Sequence, residues 1–463
     1  MQKVDIKGLS GLMVLLSVFS LAMQNNLYVI LAYAVLLIII VLTWRLYMPN
    51  VYSFIMIYHW LQIVTYIFYI NSSWHGDMHL LTQSSSTAFL SSLFGLLIMS
   101  IVFSTVAYKN LNITIEVFKE ALDRIDPKKV LYLYLILYFL AGVLSRAAFG
   151  FGGFTQFLLN IALLKWAGFV LLGYLSYSYK EYRIFFAIAF ALDFIGGFFS
   201  FFSSFKDVFF YTVVLFMTYI SKINFNVSFK GSAAAILLFY LAVFWTVIKG
   251  DYRQFLNEGS GQQVVNVSQE KAFGKLTDLV ARVNEESVDA GIGSFFYRLQ
   301  YVYHFSKAID MVPANIPYQG GDVWRQTAEF VLVPRFLKPN KGILDASVKA
   351  SKYTGIQFSG VARGVSFSLG YFADCYVDFG IPGMFVALAF IAFIFAKIYR
   401  FFLLKATGNI VINYAIVIAF FIQFCYFESD GTFMLGRLFT SFIVFLILKY
   451  TLFPRMEKFI TKD

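Results

Sequence analysis

Apolar residues come in long unbroken stretches from one end of the chain to the other, and polar residues are confined to short gaps between them. Twelve such stretches stand out, near 9–23, 27–44, 51–70, 87–107, 130–148, 157–177, 184–202, 207–221, 232–248, 381–399, 409–427 and 434–453. Most approach the ~20 residues a helix needs to cross the hydrocarbon of a bilayer, while the first and eighth are short. The pattern predicts an all-α polytopic membrane protein of about 12 transmembrane helices. It also predicts three parts: a nine-span bundle over 1–248, a large outer segment over 249–380, and a three-span bundle over 381–463.

The polar gaps are asymmetric. With Lys3 and Lys7 placed in the cytoplasm, Lys and Arg collect in every second gap, and the short loops on the other side hold only Arg146, Lys206 and Arg437. This bias orients the chain with both termini cytoplasmic. The segment 111–129 carries Ile113, Phe118, Leu122 and Ile125 on one helical face and charges on the other, the pattern of an interfacial or linker helix. Within 249–363 the stretch 268–312 has helical periodicity, whereas 313–360 is broken by Pro, Gly and Asn.

Composition agrees. The 463 residues are 59% hydrophobic and only 14% charged, against roughly 25% charged in a soluble domain. The net charge of +11 follows from the topological bias and calls for no nucleic acid. The two cysteines, Cys375 and Cys425, form no CxxC pair, and His75 and His79 lack a third nearby ligand. Neither a metal site nor a cofactor is expected.

The candidate chemistry lies on the outer side. Arg253, Arg282, Arg298, Arg325, Arg335 and Arg363 all fall in the large segment, and a guanidinium fork matches phosphate oxygens at any working pH. Arg298 has Tyr297, Tyr301 and His304 around it at helical spacing, which suits a sugar phosphate but also a packed amphipathic helix. Arg253 leaves the ninth span at headgroup depth. Arg335 sits in VPRFLKPNK between Pro334 and Pro339. Lys206 and Asp207 occupy the turn between spans seven and eight. Lys165 and Asp193 lie midway along consecutive spans and are expected to pair, since either alone would cost about 2.5–3.5 kcal/mol. The run Glu428-Ser429-Asp430 is read as a polar turn. In GYFADCYVDFGIPGMF (370–385), Asp374 and Asp378 share a helix face, and Gly380, Pro382 and Gly383 end that face so that the next span starts cleanly.

This stretch, the Pro-Arg turn with its following Pro-x-Lys, and Lys206 after small residues resemble the Wzy-type polymerases of O-antigen and exopolysaccharide repeat units. The likeness is best over 200–390 and weak in the first five spans. Asp374 stands where glutamate is frequent in that family. The resemblance implies a GT-C-like fold in the bacterial inner membrane and a metal-independent glycosyl transfer on its outer face. Donor and acceptor would be glycans linked to undecaprenyl pyrophosphate, with a chain-length regulator as a further partner. It also implies Lys206, Arg253, Arg298 and Arg335 at the pyrophosphates, and His304, Asp374 or Asp378 as the base. Two alternatives share much of the plan: an O-antigen ligase, which differs in acceptor, and a flippase of lipid-linked oligosaccharides. A flippase would favour internal repeats and midplane charges; the chain shows no repeat.

Overall fold

A computed structural model describes residues 3–73, 76–80, 82–198, 204–260, 265–333, 345–358 and 366–462. Among these, the only strand-like features are isolated bridges such as Asp5 with Lys222. The helices of the first half are α1 (Lys7–Ser20), α2 (Asn26–Thr43), α3 (Val51–Ser73), α4 (Ser85–Ala107), α5 (Ile115–Asp123), α6 (Pro127–Ala147), α7 (Thr155–Ala162), α8 (Leu164–Ser178), α9 (Arg183–Phe198) and α10 (Asp207–Met217). Then follow α11 (Phe225–Leu256), α12 (Gln269–Ala281), α13 (Glu285–Leu299), α14 (Tyr301–Met311), α15 (Asp322–Leu332), α16 (Ala346–Thr354), α17 (Tyr371–Lys405), α18 (Ile410–Phe421), α19 (Gly431–Thr451) and α20 (Phe453–Ile460).

In its described residues each of the twelve apolar stretches is largely helical, but only eight helices there are long and apolar enough to cross a membrane. These are α2, α3, α4, α6, the α7–α8 run, α11, α17 and α19. Three further apolar helices are shorter, Lys7–Ser20, Asp207–Met217 and Ile410–Phe424. With 11 residues, α10 is about 16 Å long, near half of a ~30 Å hydrocarbon core. Continued by a 3-10 turn, α18 reaches Phe424 and is also short.

Local sequence explains seven of the helix starts. Asp126, Asn224, Ser268, Asn284, Asp345, Asn409 and Asp430 each precede a helix and accept hydrogen bonds from its first free N–H groups. The expected pair forms: Lys165 Nζ lies 2.5 Å from Asp193 Oδ1, and Tyr134 donates to Oδ2 at 2.9 Å. The 111–129 segment folds as α5, and its apolar face is spent on protein. Phe118 and Leu122 are buried, Phe118 lies against Tyr47, Tyr174, Tyr219 and Tyr414, and Asn409 Nδ2 donates to Ala121 O.

The segment read as the large outer loop joins the core of the bundle through α14. Helix α14 packs against α3, α4 and α17, and Tyr301, Val302, Phe305 and Ala308 belong to the same apolar core as the spans. The broken stretch 313–360 nevertheless holds α15 and α16. The start of α15 is stabilised from far along the chain, because both carboxylate oxygens of Asp378 accept from its first N–H groups, Val323 at 3.0 Å and Trp324 at 2.9 Å. Nothing in the local sequence announces that cap.

Gly380 divides α17 as expected. Its φ of 67° and ψ of −175° lie in a region open essentially to glycine. The break frees the carbonyls of Val377 and Asp378, which accept from Gln319 N at 3.0 Å and Gly320 N at 2.9 Å. The kink thereby docks the turn before α15. A Cβ here would also meet the Tyr318 ring at 3.1 Å. Gly380→Ala is expected to lower unfolding stability by about 1–3 kcal/mol, read from the thermal midpoint of the purified chain in detergent.

Candidate functional site

The turn between α18 and α19 gathers the polar groups. Because α18 is short, residues 425–430 meet α3 at its midpoint: Gln62 donates to Glu428 Oε2 at 2.7 Å and accepts from Phe427 N at 3.1 Å. Helix α10 begins beside the same turn. The exposed Lys206 ammonium lies 5.0 Å from the centre of the Tyr426 ring, within cation–π range. Lys206, Asp207, Glu428 and Arg437 all bring their charges to bear on the buried Cys425, two positive and two negative around one point. Arg437 donates to Gln423 O at 3.2 Å. A cavity lined by Tyr371, Gln423, Tyr426, Ser429 and Arg437 holds only about 10 Å³, room for a water molecule and no more. A larger ligand would have to lie on the open side of the turn, where Lys206 is.

The far end of the same turn enters a second, buried cluster. Lys349 Nζ lies 2.8 Å from Asp374 Oδ2 and 2.7 Å from Asp430 Oδ2, and Gly431 N donates to Asp374 Oδ2 at 2.7 Å. Asp430 also caps α19 through Phe433 N. Burial works against the Lys349 charge, but the two carboxylates outweigh it and raise its pKa. Asp374 Oδ1 has no hydrogen-bond partner among the described residues.

The sequence-derived residues thus separate. Asp374 is held by Lys349. Asp378, one turn on, is occupied as the cap of α15. His304 is fully buried among Tyr297, Tyr301, Tyr303, Phe358 and Phe367, with its ring 4.5 Å from that of Phe367. Neither of its nitrogens has a partner among the described residues, and burial pushes its pKa down to about 4. At neutral pH it is an uncharged base shielded by rings.

Arg253 is half-buried near the end of α11. Its neighbour Tyr252 shares a small apolar cluster with Phe205, so Arg253 and Lys206 are brought to one region. Arg298 lies on α13, which packs on α11 and α3; its side chain, like Arg335, Lys338, Lys341 and Arg363, lies outside the described residues. Arg282 pairs with Asp278 at 2.8 Å, and Arg325 with Asp322 and Glu329 at 3.0 and 2.9 Å, ordinary surface pairs.

Sequence reasoning missed Lys349 altogether and took Glu428 and Asp430 for turn polarity. A signal was present: two acids flanking a serine between apolar runs are expensive in a membrane protein unless something in the fold meets them.

These features define a helical membrane protein whose charged centre lies where two short apolar helices, α10 and α18, begin and end. The chain belongs to the family described as domain of unknown function DUF8712, whose model matches residues 104–461. No curated protein and no solved structure matches it.

Proposed function

We propose that this protein is a membrane glycosyltransferase that joins oligosaccharide repeat units carried on a polyprenyl pyrophosphate. The observation that carries the reading is the exposed Lys206 over Tyr426, beside Glu428 and Arg437, where α10 and α18 stop short. A lipid-linked substrate keeps its tail in the bilayer, so a polar centre at the end of a truncated helix is reachable from the side. Departure of a pyrophosphate develops negative charge, which cations in a poorly solvated site neutralise at little reorganisation cost. Lys206 and Arg437 supply those cations, with Arg253 near. The Tyr426 face suits a sugar ring. Glu428 stands where a carboxylate could receive the acceptor hydroxyl's proton, and the unpartnered Asp374 Oδ1 is the second candidate.

The test is complementation of a deletion strain, with glycan length read on a gel. The wild-type chain should restore long polymer. Lys206→Ala, expressed at the same level, should leave single repeat units, with polymerisation about 100-fold slower in a reconstituted assay using synthetic lipid-linked repeats. A strain that still makes long polymer, or one in which lipid-linked repeats fail to reach the outer face, would count against the enzyme. Polymer stranded on the carrier would identify a ligase instead.

A further inference from the structure

At the other end of α17 lies a much larger cavity, of about 480 Å³, between the last turn of α4 and the last turns of α17. Its walls are Thr105, Val106, Lys109, Asn110, Phe393, Lys397 and Arg400. Three of these seven are cations, and among the described residues no carboxylate lies within ion-pair distance of any of them. Like charges are not gathered this way for stability, since they repel and gain nothing from one another.

The cations differ in how they are held. Arg400 is fixed in place: its Nη1 donates to the carbonyls of Ala107 and Lys109, closing the end of α4. That leaves Nη2 and Nε for another acceptor. Lys109 and Lys397 are exposed, and neither ammonium has a hydrogen-bond or ion-pair partner among the described residues; Lys397 only overlies the Phe393 ring at 5.2 Å.

The cavity continues into an apolar track. After its break at Gly380, α17 runs beside α4 in the same direction, with Leu388 against Gly95 and Arg400 against Ala107. On α4, Phe94 and Ile101 are exposed on the face that leads to Thr105; on α17, Val386, Phe390 and Phe393 are exposed on the face that leads to Lys397. Both stripes repeat at helical spacing and converge on the three cations.

We infer that this cavity binds the headgroup of an anionic phospholipid, with its acyl chains along the α4–α17 track. The recognising chemistry is a phosphate diester against one anchored guanidinium and two mobile ammonium groups. A free phosphate would use the same cations and none of the apolar track, which is what separates the two sources. This site shares no lining residue with the cavity at the proposed glycosyl-transfer centre.

The test uses the purified full chain in neutral detergent, titrated with phosphatidylglycerol, phosphatidylcholine or inorganic phosphate, with bound molecules counted by native mass spectrometry. Phosphatidylglycerol should bind and survive dilution, and phosphatidylcholine should not. Lys109→Gln/Lys397→Gln should weaken phosphatidylglycerol about 30-fold, at roughly a tenfold loss or less for each cation removed. The charge-matched Lys230→Gln/Lys271→Gln should bind as the wild type does. Since Lys109 and Lys397 hold no structural bond, the double variant should keep the wild-type thermal midpoint without lipid. Equal retention of phosphatidylglycerol by the two double variants would overturn the site. Equal binding of phosphatidylcholine, or inorganic phosphate competing on equal terms with the lipid, would overturn its assignment to an anionic lipid.

Discussion

Lys349→Met is expected to lower unfolding stability by about 3–5 kcal/mol, enough to abolish accumulation of a marginally stable chain. The reason lies in what remains behind. Among the described residues, Lys349 is the single cation within ion-pair distance of Asp374 and Asp430, whose side chains are 1% and 2% exposed. Methionine fills a similar volume, so the effect reports charge and not packing. Two buried carboxylates without a counter-ion cost far more than the ion pair itself contributes. Adding Asp374→Asn to Lys349→Met should recover part of the loss, because it removes one of the stranded charges. Thermal unfolding of the three variants in one detergent reads both effects. A single variant within about 0.5 kcal/mol of the wild type would show that water reaches the cluster.

The second large effect is a pH dependence. His304 has its pKa pushed down to about 4 in the folded chain, against 6.5 unperturbed. Above pH 6.5 the ring is neutral whether the chain is folded or not, and its protonation contributes nothing to stability. Between pH 6.5 and 4 the unfolded chain takes up a proton that the folded chain refuses, so stability falls as pH falls. The full difference is about 3 kcal/mol. Carboxylates also titrate in this range, so the measurement is a comparison: the stability gap between His304→Leu and the wild type should grow in the variant's favour from pH 7 to pH 4. A gap that stays constant over that range would mean that the imidazole takes up its proton at the same pH in the folded and unfolded chain.

How much of this was legible beforehand depends on the range over which each feature is decided. Lys165 and Asp193 could be paired from sequence because they lie at matching depths on consecutive antiparallel spans, and a lone charge there is too costly to leave unmet. Gly380 could be read as a break because its neighbours Pro382 and Gly383 weaken a helix on their own. Asp374 and Asp378 were rightly placed on one face, yet that face divides between two partners, Lys349 on α16 and the start of α15. Neither partner has any sequence relation to them.

The sequence by itself determined the class of molecule. Unbroken apolar stretches, few charges and capping residues at fixed offsets are local properties, and helices satisfy backbone hydrogen bonds locally, so they can be read residue by residue. Only the tertiary structure decided which helices stop halfway, that α14 sits among the spans, and that Glu428 and Asp430 anchor a charged turn where Lys206 meets Tyr426. Those outcomes depend on burial against distant elements. A carboxylate in an apolar chain must find a partner, and sequence states the need without stating who meets it.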